Sequence, residues 1–348
     1  MRALGVWITS RLGLLAVSVM AVPWLVGGRD YLSRWKQWDA SLFVSIAEYG
    51  YRGNPAQARD PGLPAFFPGL PSVLRLVHLV VTDWALCGLL VSLVAGGVAA
   101  VALARLAEFE GGSGERAVLA MVLFPTAVFL AAGYSESLFL AFAIPAWLAA
   151  RRRQWPLAVL LAAGASSVRI TGLFLAVALV VEFALSRPRW RELPWLVIPF
   201  VPLIAYSWYL RGLTGDWLAW KHAQEAGWGR ELVWPWRAWL TTWNSAMGAG
   251  DSAVPFRMEI AGAVVAVAVL VWLLATRRWS EFVYCGLQAG ALLTSAYYLS
   301  VPRALLLWFP LWVLIARLPA RWSIGYGLLL GPLMVLNAMR FLTGAWAG

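Results

Sequence analysis

Histidine and cysteine are nearly missing from this 348-residue chain, which has two of each. His78 and His222 stand in no hydrolytic motif, so a Ser-His-Asp type of chemistry is unsupported. With no HExxH, no His or Cys cluster and no Asp-x-Asp pair, a metal-assisted reaction on a nucleotide sugar is unsupported too. No metal and no other cofactor is expected. A P-loop and a glycine-rich dinucleotide fingerprint are also absent. Charge is scarce: charged residues make up 13% of the chain against 61% hydrophobic, which excludes a soluble domain.

What is present is apolar sequence in bilayer-sized runs. A span needs ~20 apolar residues. Candidates lie at about 4–26, 84–106, 117–133, 135–150, 155–168, 170–185, 193–211, 258–276, 280–300, 303–316 and 322–342. The expectation is therefore a single all-α polytopic membrane domain over residues 1–348, with about 11 transmembrane helices. Several runs are short, and two pairs are separated only by Gly133-Tyr134 and by Arg169, so those helices are expected to pack deep or to stop short of crossing. Arg2 and Arg11 before the first run give a signal-peptide look, but Ala21-Val22-Pro23 is poor cleavage chemistry and an uncleaved span is the better reading.

Arginine sets the orientation. The net charge is +11, but the arginines cluster between apolar runs (Arg105 with Arg116, Arg151-Arg152-Arg153, Arg187 with Arg189 and Arg191, Arg277-Arg278, Arg317 with Arg321). That spacing reads as membrane orientation and not as a nucleic-acid footprint. An inside N-terminus and eleven spans put every cluster on the cytoplasmic side. Counting 66–82 as a further span would reverse the later loops, so that segment is read as an interfacial or re-entrant helix in the first outer loop. The outer loops run over about 27–83 and about 212–257, and the second is rich in Trp, which disfavours disorder. Cys87 and Cys285 then fall near opposite membrane faces, against a disulfide.

On the outer side this topology gathers Asp39, Tyr134, Glu136, Arg169 and Arg303. Asp39, beside Trp38, can serve as a general base or can cap the short helix that follows it. Arg303 follows Pro302 in a break between apolar runs, where a guanidinium can hold a phosphate or can snorkel to the interface. Arg169 faces the same choice, with a buried pair to Glu136 as a further alternative. Lys221 and His222 in the second loop can touch a sugar or phosphate, or form a solvated loop pair. The loop tryptophans can stack on sugars or anchor the loop at the interface.

Taken in order, the segments Trp38-Asp39, Ile46-Ala47-Glu48-Tyr49-Gly50-Tyr51, Ala65-Phe66-Phe67-Pro68-Gly69-Leu70-Pro71, Phe124-Pro125-Thr126, Tyr134-Ser135-Glu136-Ser137-Leu138-Phe139, Arg169-Ile170-Thr171-Gly172, Pro302-Arg303 and Phe309-Pro310-Leu311 form a series. The chain resembles in them the PIG-V type mannosyltransferases of the GT-C superfamily. It departs from that pattern at Ala40-Ser41-Leu42, which precede Phe43, and at Gly69-Leu70. The resemblance implies a GT-C type bundle and a glycosyltransferase that moves mannose, or another hexose, from a polyprenyl-phosphate sugar to an acceptor hydroxyl on the extracytoplasmic face, with inversion. It implies Asp39 as general base.

Arg303, with Arg169, would hold the donor phosphate, while Trp38, Tyr51, Phe67, Tyr134, Glu136, Lys221 and His222 would contact substrate. The acceptor would be a lipid-linked glycan, a glycolipid or a protein. A composition rich in Arg, Ala, Leu and Trp looks like that of a high-GC bacterium and points to a bacterial plasma membrane. A lipid-linked sugar flippase or transporter, or a noncatalytic partner of a membrane glycosyltransferase, stands as the alternative.

Overall fold

A computed structural model describes residues 2–20, 30–186, 189–250 and 253–348. The end of the first expected span (21–26), the start of the first outer loop (27–29), Arg187 and residues 251–252 of the second outer loop lie outside these. Among the described residues every regular element is helical. In chain order these are α1 (Arg2–Met20), α2 (Asp39–Tyr49), α3 (Gly69–His78), α4 (Trp84–Phe109), α5 (Gly114–Val122) and α6 (Ser135–Arg151). Then come α7 (Trp155–Val168), α8 (Thr171–Leu185), α9 (Val201–Thr214), α10 (Ala219–Trp228) and α11 (Pro235–Met247). The series closes with α12 (Ala253–Ala275), α13 (Trp279–Leu293), α14 (Val301–Leu305), α15 (Phe309–Arg317) and α16 (Ala320–Thr343).

Among the described residues five helical stretches are long and apolar enough to cross a membrane: α1, α4, Trp190–Thr214, α12 and α16. The other expected spans are shorter. α7 and α8 have 14 and 15 residues, which at ~1.5 Å per residue falls short of a ~30 Å hydrocarbon core. The run expected at 303–316 divides into α14 and α15 because Pro310, at the start of α15, has no amide hydrogen to continue a helix through Leu306–Trp308. Pro125 ends α5 early in the same way, leaving a short 3-10 turn over Ala127–Leu130. The segment expected as the second outer loop holds two helices, α10 and α11, and α3 occupies the middle of the segment expected to lie at the interface.

The chain forms two compact units. The first comprises 1–48, 70–148 and 306–347. Within it, α4 starts on the side chain of Asp83, which accepts from the Leu86 amide at 2.8 Å. Small residues on its buried face (Gly88, Ser92, Ala95, Gly96, Ala99) allow close approach, the way apolar helices associate in lipid. A Cβ at Gly88 would lie 2.7 Å from Gly133 Cα, and one at Gly96 would overlap the Trp7 ring. Trp7 fills that space and donates its indole N–H to Leu93 O at 3.1 Å. On the same unit, Arg317 binds Glu110 at 3.0 Å and the Ser113 amide reaches Ala316 O, so α15 is tied to the turn after α4.

The second unit comprises 49–69, 149–305 and 348. An ionic knot joins three of its helices: Glu182 on α8 accepts from Arg151 at 3.2 Å and from Ser280 Oγ at 2.5 Å, while Glu281 on α13 accepts from Arg278 Nε at 3.1 Å. Both carboxylates of this knot therefore have a cationic partner, as a low-dielectric site requires.

Candidate functional site

In the first unit, Trp38 has a left-handed backbone (φ 44), rare for a residue with a side chain. That turn lets α2 begin at once, so that Asp39 is its first residue and sits half-buried in the first turn, where the helix dipole favours a carboxylate. The indole of Trp38 stands edge-on to Phe341 (5.4 Å) and to Trp346 (5.6 Å). Tyr134 is buried against Phe129 and Phe341 and donates its hydroxyl to Gln37 O at 2.9 Å, one residue before Trp38. Three of the predicted residues, Trp38, Asp39 and Tyr134, are thus assembled around one turn. Glu136 lies two positions beyond Tyr134 and is fully buried. Phe341 and Trp346 went unread in the sequence, because no local pattern relates them to Trp38.

In the second unit, Tyr51 and Phe67 belong to an aromatic box. Tyr51 donates to Phe66 O at 2.7 Å, and Tyr206 reaches both Pro64 O (2.9 Å) and Phe66 O (3.0 Å). Phe67 packs on Tyr206 at 4.9 Å and on Trp220 at 6.4 Å, while Phe66 meets Trp228 edge-on at 5.4 Å. Burial pushes the Tyr51 phenol well above its ordinary range, so it acts here as a neutral donor. Both residues are buried and shape the Phe-Phe-Pro segment from within.

The same unit gathers the arginines. Arg169 has extended backbone in the break between α7 and α8. On either side of it, Ser166 Oγ and Thr171 Oγ1 are buried and make no hydrogen bond, leaving polar atoms for a ligand to meet. Arg303 is buried on α14. A third arginine, Arg230, donates to Leu299 O at 2.9 Å and lies close enough to Glu259, Tyr297, Arg303 and Arg169 for their charges to act on it. Desolvation is the main cause that lowers the Arg230 guanidinium to about 10; Glu259 opposes the shift, and the two other arginines add to it. It remains cationic at neutral pH.

Glu259, buried on α12, accepts from the Ser300 amide at 2.6 Å and from the Val301 amide at 2.7 Å. This clamp holds Ser300 in a left-handed conformation (φ 61) and starts α14, which carries Arg303. Gly262, one turn along, leaves room for Pro302: a Cβ there would come within 2.9 Å of the ring. Neither Arg230 nor Glu259 was singled out from the sequence. Glu259 stood near the start of an apolar run, and an ionisable residue in such a run was the signal that could have found it.

Lys221 and His222 lie on α10 and are exposed. Lys221 pairs with Glu225, and His222 Nδ1 meets Asp216 at 2.6 Å. The Leu218 amide, followed by His222, holds the Asp216 carboxyl below the usual carboxylate range.

Residues 16–186 match the family described as Mannosyltransferase (PIG-V). The chain is 39% identical over 164 residues to GPI alpha-1,6-mannosyltransferase 2 of Mus musculus and 38% identical to that of Cricetulus griseus. Each alignment covers 44% of this chain and 31% of the relative, so the chain spans about a third of the length of the curated relatives it matches. No solved structure matches it.

Proposed function

We propose that this chain, which belongs to the PIG-V type mannosyltransferases through residues 16–186, transfers mannose from a polyprenyl-phosphate donor to an acceptor hydroxyl on the extracytoplasmic face of a bacterial plasma membrane. The reading keeps a GT-C type bundle of about 11 spans as its architecture, with 66–82 at the interface. In the step we assign, the Asp39 carboxylate takes the hydroxyl proton, the acceptor oxygen bonds to the anomeric carbon, and the bond from that carbon to the phosphate oxygen breaks. Polyprenyl phosphate leaves and the configuration inverts. The curated relatives carry an alpha-1,6 linkage in their names. An inverting displacement gives an alpha product from a beta-linked donor.

The observation that carries the reading is the arginine cluster of the second unit, where the charges of Arg303, Arg169 and Glu259 all act on Arg230 and the Glu259 carboxylate accepts from two backbone amides. Clustered guanidinium groups, with the buried Ser166 and Thr171 hydroxyls beside Arg169, suit a phosphate whose charge grows as it departs. Trp38, Tyr134 and Glu136 would contact substrate, and Tyr51 and Phe67 would support the wall they are buried in. Lys221 and His222 would contribute at the loop surface. The acceptor would be a lipid-linked glycan, a glycolipid or a protein.

The test is transfer of labelled mannose from polyprenyl-phosphate mannose by purified protein in detergent. Transfer without a membrane gradient supports the enzyme; labelled donor that crosses vesicles without a covalent product favours the transporter. Arg303→Ala is expected to raise the donor KM by ~10-fold or more, as loss of a charged hydrogen bond predicts. An unchanged donor affinity overturns the phosphate contact.

A further inference from the structure

The helix α11 divides its surface into three stripes. Ala238, Thr242 and Ala246, spaced four apart, are buried. Ala238 packs with Ala263, Tyr298 and Val301. Thr242 Oγ1 accepts from the Tyr298 amide at 2.8 Å, and Arg257 Nε donates to Ala246 O at 2.9 Å, so this stripe is fastened to the second unit. Trp236, Leu240, Trp243 and Met247 form the next stripe at helical spacing, and they are 57%, 53%, 41% and 57% exposed. Arg237, Thr241 and Asn244 form the third, which is polar and exposed.

A helix in contact only with its own unit and with water would gain nothing from four large apolar side chains facing outward. At about 25 cal/mol per Å² such exposure is costly. Two of the four are tryptophans, and Trp234 stacks on Trp236 at 4.9 Å with its plane tilted by only 11°. Amphipathic rings of this kind favour the headgroup level of a bilayer. The position along the chain agrees: α11 ends at Met247 and α12, an apolar helix of membrane-crossing length, begins at Ala253 with its own exposed valines. The apolar stripe therefore continues the sequence into a lipid-facing surface.

We propose that α11 is an interfacial helix, with the protein on its first side, phospholipid acyl chains against Trp236, Leu240, Trp243 and Met247, and water and headgroups against Arg237, Thr241 and Asn244. Its occupant is the bilayer itself. Because the buried stripe bonds Tyr298, two residues before the Glu259 clamp, the membrane surface sets the depth of the segment that carries Arg303. The lipid contact stands independently of any catalytic role.

The test is nitroxide accessibility on the full-length protein in nanodiscs of phosphatidylcholine and phosphatidylglycerol. Single cysteines are placed by Trp236→Cys, Leu240→Cys and Trp243→Cys on one stripe and by Arg237→Cys, Thr241→Cys and Asn244→Cys on the other. Cys87 and Cys285 are buried and stay in place. Labels on the first three are expected to collide several-fold more with oxygen than with a water-soluble nickel chelate, and labels on the second three to show the reverse. Nickel access at all six would overturn the proposal in favour of a solvated helix. Exclusion of both reagents from the apolar stripe would overturn it in favour of a protein partner. All six side chains point outward, so the substitutions leave the packed stripe intact.

Discussion

Trp38 sits in a left-handed conformation that costs a residue with a Cβ about 1–2 kcal/mol. Its two ring contacts, at about 0.5–1.5 kcal/mol each, offset that cost. The two effects separate in mutants. Trp38→Ala loses the rings and keeps the strain, whereas Trp38→Gly loses the rings and the strain together. The glycine variant should therefore be the more stable of the two by roughly 1 kcal/mol in detergent melts, and equal stability would mean that the turn is not strained. The test of Asp39, next to it, is chemical. Asp39→Asn should lower turnover by about 10²–10⁴-fold, as loss of a general base does, while donor affinity and melting temperature hold. A nearly active, folded Asp39→Asn protein would remove the base assignment. Trp38, Asp39 and Tyr134 were legible in the sequence because chemistry-bearing residues beside apolar runs are conspicuous. Phe341 and Trp346 were not, since a ring contact between distant positions leaves no local trace.

At the scale of elements, α14 has only 5 residues and owes its start to Glu259 on another helix. Glu259→Ala leaves two backbone amides without their acceptor and is expected to cost on the order of 2–4 kcal/mol, with a higher donor KM. Glu259→Gln keeps one acceptor oxygen and should recover part of both. If Glu259→Ala lowers stability and leaves donor KM unchanged, the clamp is structural and does not aim Arg303. The helical character of the chain and most of its apolar runs were readable from composition and length. The breaks were less so: Pro310 and Pro125 divide runs that hydropathy alone joins, and α13 stops at Leu293, where Thr294 and Ser295 turn their hydroxyls back onto Gly290 O and Ala291 O. The two helices within 212–257 were hidden by their own tryptophans, which can stack on sugars or anchor a loop as readily as they can line a helix face.

For the molecule as a whole, the arginine clusters make the orientation testable. Reporters fused after Arg153 and after Arg278 should lie in the cytoplasm, and a glycosylatable or cysteine-labelled site near Asn54 should lie outside. A reversed pattern would overturn the eleven-span topology and the outer-face placement of Asp39 together. The anchoring of Trp38 has a last consequence in time. Phe341 and Trp346 follow it by 303 and 308 positions, so the turn that holds Asp39 acquires its walls only after all the residues between them have been made. A nascent chain would carry the acid into the membrane long before the rings that wall its turn exist.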